Sequence, residues 1–411
     1  MAVFLILLGF GGYRFADASI YDESLHSMRD GIHIQLNENG LVEMVAHKPL
    51  PAVEGETLIK NAVILPHFSD FYSLIQERGL GYDENINGQT QGLMARYLIA
   101  GGFYGVRDPV FPREGLEPVM EQHLKIFAQR GYLEVKGGPA QQFAQVIDPT
   151  GNPSQLDLPG DGPVTLWWTE MGSDQPVLWP QHPQLVNDII HYFHTQNRKV
   201  GCYIQDAGVA SMDRLYQFPF DFYEGMPGAQ VNVEKFPNIV WIPLGRLNDK
   251  RYCAQDLTKG LARAGEMGLY GSLDIARAEA RLEDVRRGIG DRCKVWKKRR
   301  ATSFQPLRDW IARKGALGVG SAGGHLFSFT GDIRSELDLL EELGASQPQL
   351  LEALFETNPS LLGLEKPYLK PGKPANFIVF QKNVFWGRLV GEKVDLNFVD
   401  GKPFQSEISL K

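Results

Sequence analysis

The stretch Ile64–Leu74, ILPHFSDFYSL, marks a change of texture in the chain. An apolar strand runs into Leu65-Pro66, and an aspartate follows at Asp70. Alternate residues of a strand face the same way. Tyr72 and Leu74 therefore share a side. Before this stretch the sequence reads as short strands separated by turns. After it, strands alternate with amphipathic helices.

The β-rich runs upstream are Tyr13 to Ile20, Gly31 to Leu36, Leu41 to Val45 and Thr57 to Ile64, broken by turn signals such as Asn37-Glu38-Asn39-Gly40. The same texture returns at Ala375 to Phe380, Phe385 to Val390 and Leu396 to Val399, with Asp400-Gly401 as a hairpin turn. Between the two lies a series of strands: Gly105 to Arg107, Tyr132 to Lys136, Val164 to Trp168, Lys199 to Ile204, Phe220 to Phe222, Ile239 to Ile242 and Gly315 to Val319. Helices Leu93 to Ala100 and Pro183 to Gln196 are interleaved with them. A third helix, Ser346 to Phe355, opens with a capping box, Ser346-x-x-Gln349. Repeated strand-then-helix units imply a parallel sheet. The series suits an α/β fold of the (β/α)8 type, with a β-sandwich assembled from both chain ends. The expected division is 1–65 with 365–411 as the sandwich and 66–364 as the barrel.

The chain has 411 residues, 43% of them hydrophobic and 22% charged, so it can bury a core without disulfides or a structural metal. Its net charge of -7 argues against nucleic acid or an anionic membrane as partner. The three cysteines, Cys202, Cys253 and Cys293, are far apart and form no C-x-x-C pair. A reducing compartment, hence a cytoplasmic location, is the expectation. The apolar run Ala2 to Phe10 reads as a buried first strand, being short for a membrane span and lacking a positive leader. A signal peptide over residues 1–18, and export, is the alternative.

Several segments carry a family likeness. DGIHIQLNENGLVEMV (Asp30 to Val45), ILPHFSD (Ile64 to Asp70), ARYLIAGGFYGVRD (Ala95 to Asp108), ALGVGSAGG (Ala316 to Gly324), TNPSLLGL (Thr357 to Leu364) and PGKPANFIVF (Pro371 to Phe380) follow one another in order. In that order they resemble the amidohydrolase superfamily, whose members join a (β/α)8 hydrolase barrel to a sandwich built from both chain ends. The resemblance implies zinc or another divalent metal held by an H-x-H pair on the first barrel strand. Further ligands would come from strands four, five and six, and an aspartate on strand eight would move the proton of the metal-bound water.

Carried over position by position, those ligands are replaced. Strand one has Tyr72 and Leu74, strand four Trp167 or Trp168 with Glu170 after it, and strand five Tyr203 with Cys202 and Asp206 beside it. Strand six has Tyr223-Glu224, and strand eight has Ala322. Leucine and alanine cannot bind a metal, and tyrosine ligates only as phenolate, with a reference pKa of about 10. A barrel without the metal centre, and with no cofactor, is the expectation.

The remaining candidates for acid–base work are Glu170, Asp206 and Glu224. His67, Asp70, Tyr72, Trp168, Tyr203, Tyr223 and His325 are candidates to line a pocket. Asp70 is better read as structural, and aromatic residues with polar tips serve packing as well as ligand contact. His191 and His194 fall on the polar face of their helix and are set aside as ligands. Gly318-x-Gly320-x-x-Gly323 lacks the strand–helix setting of a dinucleotide fingerprint, and Ser321 stands in no G-x-S-x-G. The basic run KVWKKRR (Lys294 to Arg300) reads as a charged surface face.

Three functions remain open. The first is a metal-free, amidohydrolase-like protein binding a small molecule or a partner at the C-terminal mouth of the barrel. The second is an active hydrolase of C–N bonds using non-standard acids. The third is a structural subunit paired with an active homologue. The likeness to the family also makes a homo-oligomer plausible.

Overall fold

The structure, a computed structural model, describes residues 12–75, 88–109, 122–129, 132–136, 144–148, 150–156, 158, 160–168, 179–204, 209–226, 233–235, 239–244, 304–323, 331–364, 368–381 and 392–404. Both ends of the chain build one eight-stranded sheet. From the N-terminal side come β1 (Tyr13–Asp22), β2 (Ser27–Leu36), β3 (Val42–Ala46), β4 (Thr57–Lys60) and β5 (Val63–Leu65). The C-terminal side adds β15 (Phe377–Phe380), β16 (Leu396–Val399) and β17 (Lys402–Phe404). The order is β17-β16-β15-β5-β1-β2-β3, with β4 beside β1.

The expected single run from Thr57 to Ile64 is two strands. Asn61 takes a positive φ of 53°, matched in β1 by Asp17 at the same angle. β4 then runs parallel to Tyr13–Ala16 and β5 parallel to Ser19–Ile20. The Asp400-Gly401 turn forms as the sequence implies, with φ of 49° and 80° joining β16 to β17. One face of this sheet has its own core, in which Phe15, Phe377 and Phe398 pack with ring centres 4.9 to 6.2 Å apart. Tyr21, Leu65, Ile378 and Phe380 instead join the core of the parallel sheets.

The middle of the chain holds parallel strands. β6 (Phe68–Asp70), β7 (Phe103–Asp108) and β8 (Lys125–Ala128) form one sheet. β9 (Tyr132–Val135), β10 (Ala144–Ile147), β11 (Val164–Trp167), β12 (Val200–Tyr203), β13 (Phe222–Glu224) and β14 (Val240–Ile242) form another, ordered β10-β9-β11-β12-β13-β14. β13 lies two residues beyond the expected run, and Asp221 immediately before it is tied to Val200 of β12. The Asp221 amide donates to Val200 O and its carboxylate accepts from Val200 N.

Side chains and irregular backbone join the two parallel sheets. Gln129, just after β8, pairs with β11 as a peptide would: Nε2 donates to Thr165 O at 2.9 Å and Oε1 accepts from Thr165 N at 3.1 Å. On the far side, residues 316–323 form no ladder strand. They bridge Trp241 of β14 to residues 71–74 through Gly318 N to Trp241 O, Phe71 N to Val319 O, Ala322 N to Tyr72 O and Leu74 N to Gly323 O. A Cβ on Gly318 would lie 2.6 Å from Ile242 and one on Gly320 2.9 Å from the Tyr72 Cβ, so these glycines serve close packing.

Helices connect the strands. Gly88–Ala100 precedes β7, Pro183–Thr195 precedes β12, Val209–Leu215 precedes β13 and Gln305–Ala312 precedes the 316–323 segment. In Pro183–Thr195 the residues Leu185, Val186, Ile189, Ile190 and Phe193 are buried, while His194 meets Asp221 at 2.8 Å near the surface. The capping box forms, with Gln349 Oε1 accepting from Ser346 N and Oγ. The helix it starts, Gln347–Glu352, passes into a π-turn, Ala353–Thr357, and then Asn358–Leu361. Among the described residues, no helix is long and apolar enough to cross a membrane.

Candidate functional site

Two parallel strands carry charge into the interior. β7 is buried along its whole length, yet Arg107 near its end is fully buried and charged. Glu224, the last residue of β13, is equally enclosed. Arg107 Nη1 donates to Glu224 Oε1, and Nη2 donates to the Thr165 hydroxyl and, at 2.9 Å, to Gln129 Oε1. The Thr165 hydroxyl donates in turn to Glu224 Oε1 at 3.3 Å. The guanidinium carbon lies 5.1 Å from the centre of the Phe71 ring and 5.8 Å from that of Phe222, so aromatic faces flank the charge. Four elements thus hold one ion pair. Burial pushes Glu224 up to about 7, against the pull of Arg107 and the Thr165 hydroxyl.

Strand registry decides what stands beside this pair. Trp167, Tyr203 and Glu224 are aligned across β11, β12 and β13. Trp167 and Tyr203 have ring centres 4.9 Å apart, and each lies 5.1 Å from Tyr132 of β9. Tyr132 is near enough to Tyr72, Glu224 and Tyr203 for all three to add to the rise that burial causes in its phenol.

Asp70 is fully buried below Tyr72. Its Oδ1 accepts from Tyr72 N at 3.1 Å and Ser321 N at 2.8 Å, tying β6 to the 316–323 segment. Burial raises it to about 6 although the Ser321 and Tyr72 bonds oppose the shift. At the other end of this seam the Asn358 amide donates to Ser69 O and Val319 O and accepts from Val319 N.

The candidates from sequence therefore separate. Glu224, Tyr72 and Tyr203 come together, with Asp70 behind them. Tyr223 and Trp168 point to the other face: Tyr223 packs on Phe220, and Trp168 on Phe218 and Phe220, while Trp167 takes the inward place. His67 precedes β6, away from the strand's C-terminal end. Its Nε2 meets Asn397 Oδ1 at 2.8 Å, and it lines a cleft of about 600 Å³ with Tyr104, Glu356 and Tyr368, next to the eight-stranded sheet. Glu170, Asp206 and His325 lie outside the described residues, as do the KVWKKRR run and residues 1–11. Arg107, Gln129, Thr165 and Tyr132 are the residues that sequence reasoning missed. The one available signal was an arginine in an otherwise uncharged, buried strand stretch, FYGVR.

The described residues do not fit a divalent metal at these strand ends. The inward carboxylate, Glu224, already faces a guanidinium, and a metal beside it would meet like charge in a low-dielectric setting. Burial holds the nearby Tyr132 phenol protonated. Among the described residues, no group of three or more His, Cys, Asp or Glu could hold a metal ion.

Solved structures share this architecture. A Xaa-Pro dipeptidase with methionine in its active site matches 96% of this chain and 100% of its own, with a TM-score of 0.65 and 14% identity. A. niger ochratoxinase matches 96% of each chain, with a TM-score of 0.65 and 13% identity. A molinate hydrolase matches 98% of this chain and 96% of its own, with a TM-score of 0.65 and 10% identity. No protein-family profile matches the sequence. No curated protein matches it either. Likeness at such identity speaks for fold, and function has to be argued from the site. The chain shares the fold of these solved structures.

Proposed function

We propose that this protein is an amidohydrolase-like (β/α)8 barrel in which an internal ion pair stands where its structural neighbours' fold would house catalytic chemistry. Its role is to bind a small molecule at the C-terminal mouth. One observation carries the reading: the Arg107 guanidinium is bonded to Glu224, Thr165 and Gln129 in the fully buried interior. A fixed organic cation there neutralises the interior carboxylate and leaves no charge for a metal to balance. The aromatic cluster beside it offers a surface for a ligand, and Trp167 in that cluster is only partly buried. Metal content of protein purified without chelators or a histidine tag, followed by a zinc titration, tests this. A stoichiometric divalent metal would overturn it, and absence of metal with no zinc uptake is the expected result.

A hydrolytic reading rests on a different fact. Glu224 titrates near neutrality, the range suited to a general acid or base. Turnover of amide substrates that Glu224→Gln abolishes, in protein that stays folded, would favour it over simple binding.

A further inference from the structure

Glu224 Oε2 and the Tyr132 hydroxyl are among the buried polar atoms that have no hydrogen-bond partner among the described residues. Glu224 uses Oε1 for both Arg107 and Thr165, while its buried Oε2 has no partner. The buried hydroxyl of Tyr132 has none either. Buried polar groups are nearly always paired, so each exception needs an explanation.

The two side chains flank Tyr203, which is in register with Glu224 across β12 and β13 and whose ring centre lies 5.1 Å from that of Tyr132. One unpaired atom is a carboxylate oxygen, which accepts. The other is a phenol, which donates and accepts. A single hydroxyl group brought to both would donate to Glu224 Oε2 and accept from Tyr132. An ammonium could serve the carboxylate but would face Arg107, and an anion would face Glu224. The opposite charges of the pair favour a neutral guest. The neighbouring surface consists of the rings of Tyr132, Trp167 and Tyr203, with centres 4.9 to 5.1 Å apart, which suits a flat aromatic body better than an aliphatic one.

We infer that the mouth takes a neutral aromatic hydroxyl compound, with its hydroxyl shared by Glu224 and Tyr132 and its ring against Trp167 and Tyr203. This rests on the small-molecule reading above and gives it a ligand class.

Calorimetric titration of the full-length protein with phenol, anisole and cyclohexanol tests the class. Anisole keeps the ring and loses the donor, whereas cyclohexanol keeps the hydroxyl and loses the flat face. Phenol is expected to bind at least about tenfold more tightly than either, as one hydrogen bond to a charged group provides. Tyr132→Phe, which keeps the ring and removes a donor to the ligand oxygen, should weaken phenol binding severalfold while leaving the phenol-over-anisole preference, which Glu224 sets. Equal binding of the three compounds, or none, would overturn the inference and leave the two atoms to an ordered water. The wild-type comparison needs no variant to fold. If the elemental analysis finds a bound metal, the underlying reading fails. If the protein is metal-free and phenol is ignored, only the ligand class fails.

Discussion

Arg107 and Glu224 stand on β7 and β13, two strands that share no ladder, and their side chains meet where solvent reaches neither. Burying two charges is costly, and their mutual attraction offsets the cost only when hydrogen bonds satisfy the remaining atoms. Thr165 and Gln129 supply part of those bonds, while Glu224 Oε2 and Arg107 Nε have no partner among the described residues. Arg107→Met is therefore expected to cost about 3–5 kcal/mol, because it strands the carboxylate of Glu224. The double variant Arg107→Met/Glu224→Leu should recover much of that loss. Urea unfolding of the single and double variants measures both. Strictly additive losses would show that the two residues do not act as a pair.

Acid should stabilise the interior. Glu224 rises from 4.5 to about 7 in the folded protein, and Asp70 from 3.8 to about 6. A raised acid binds its proton more tightly when folded, so its contribution is full below the unfolded value and is lost as pH climbs through the folded one. For Glu224 the window runs from about 4.5 to about 7. Urea midpoints should fall across that window in the wild type and fall less in Glu224→Gln. An identical profile in the two proteins would remove Glu224 as the cause.

Asn358 locks the seam between β6 and the 316–323 segment through three bonds to backbone. Asn358→Leu removes the acceptor of the buried Val319 amide and the side-chain donor to Ser69 O, while Val319 O keeps its bond from Phe71 N. A loss of at least about 2 kcal/mol is expected. Hydrogen exchange should accelerate at Val319, whose amide loses its acceptor, and continued protection there would contradict the role.

Two glycines separate strain from collision. Gly31 has a φ of 70°, and a Cβ added there would meet nothing within 4 Å, so Gly31→Ala should cost about 1 kcal/mol from backbone strain. Gly40 has a φ of 72°, and a Cβ there would fall 1.7 Å from Gly401 O. Gly40→Ala must therefore push apart the two turns that the chain ends bring together. It should lower the thermal midpoint well beyond Gly31→Ala, and equal shifts would show that the contact gives way freely.

The strands are legible in the sequence, and their phase often is not. The outer sheet announces itself through alternation and turn residues, as at Gly31 to Leu36 and Asp400-Gly401. Asn61 conceals a break because a single residue at positive φ leaves the apolar pattern intact. Side chains on a strand alternate, so a slip of one residue reverses every face. A reading one residue out of phase puts Trp168 and Tyr223 in places that Trp167 and Glu224 occupy. The partnership of Arg107 with Glu224 leaves no trace at all, since the two are 117 residues apart and no local spacing encodes them.

The sheet that draws on both ends of the chain has a bearing on biosynthesis. β5 is bonded to β15, and the Tyr368 hydroxyl donates to Ile64 O across 304 residues of sequence. A ribosome releases Val63–Leu65 long before it releases their partner. Until then that strand edge is open to pairing with another chain. Closure over so long a loop comes late, after local helices and strands have formed. The long separation between β5 and β15 thus sets how long that edge stays unpaired during translation.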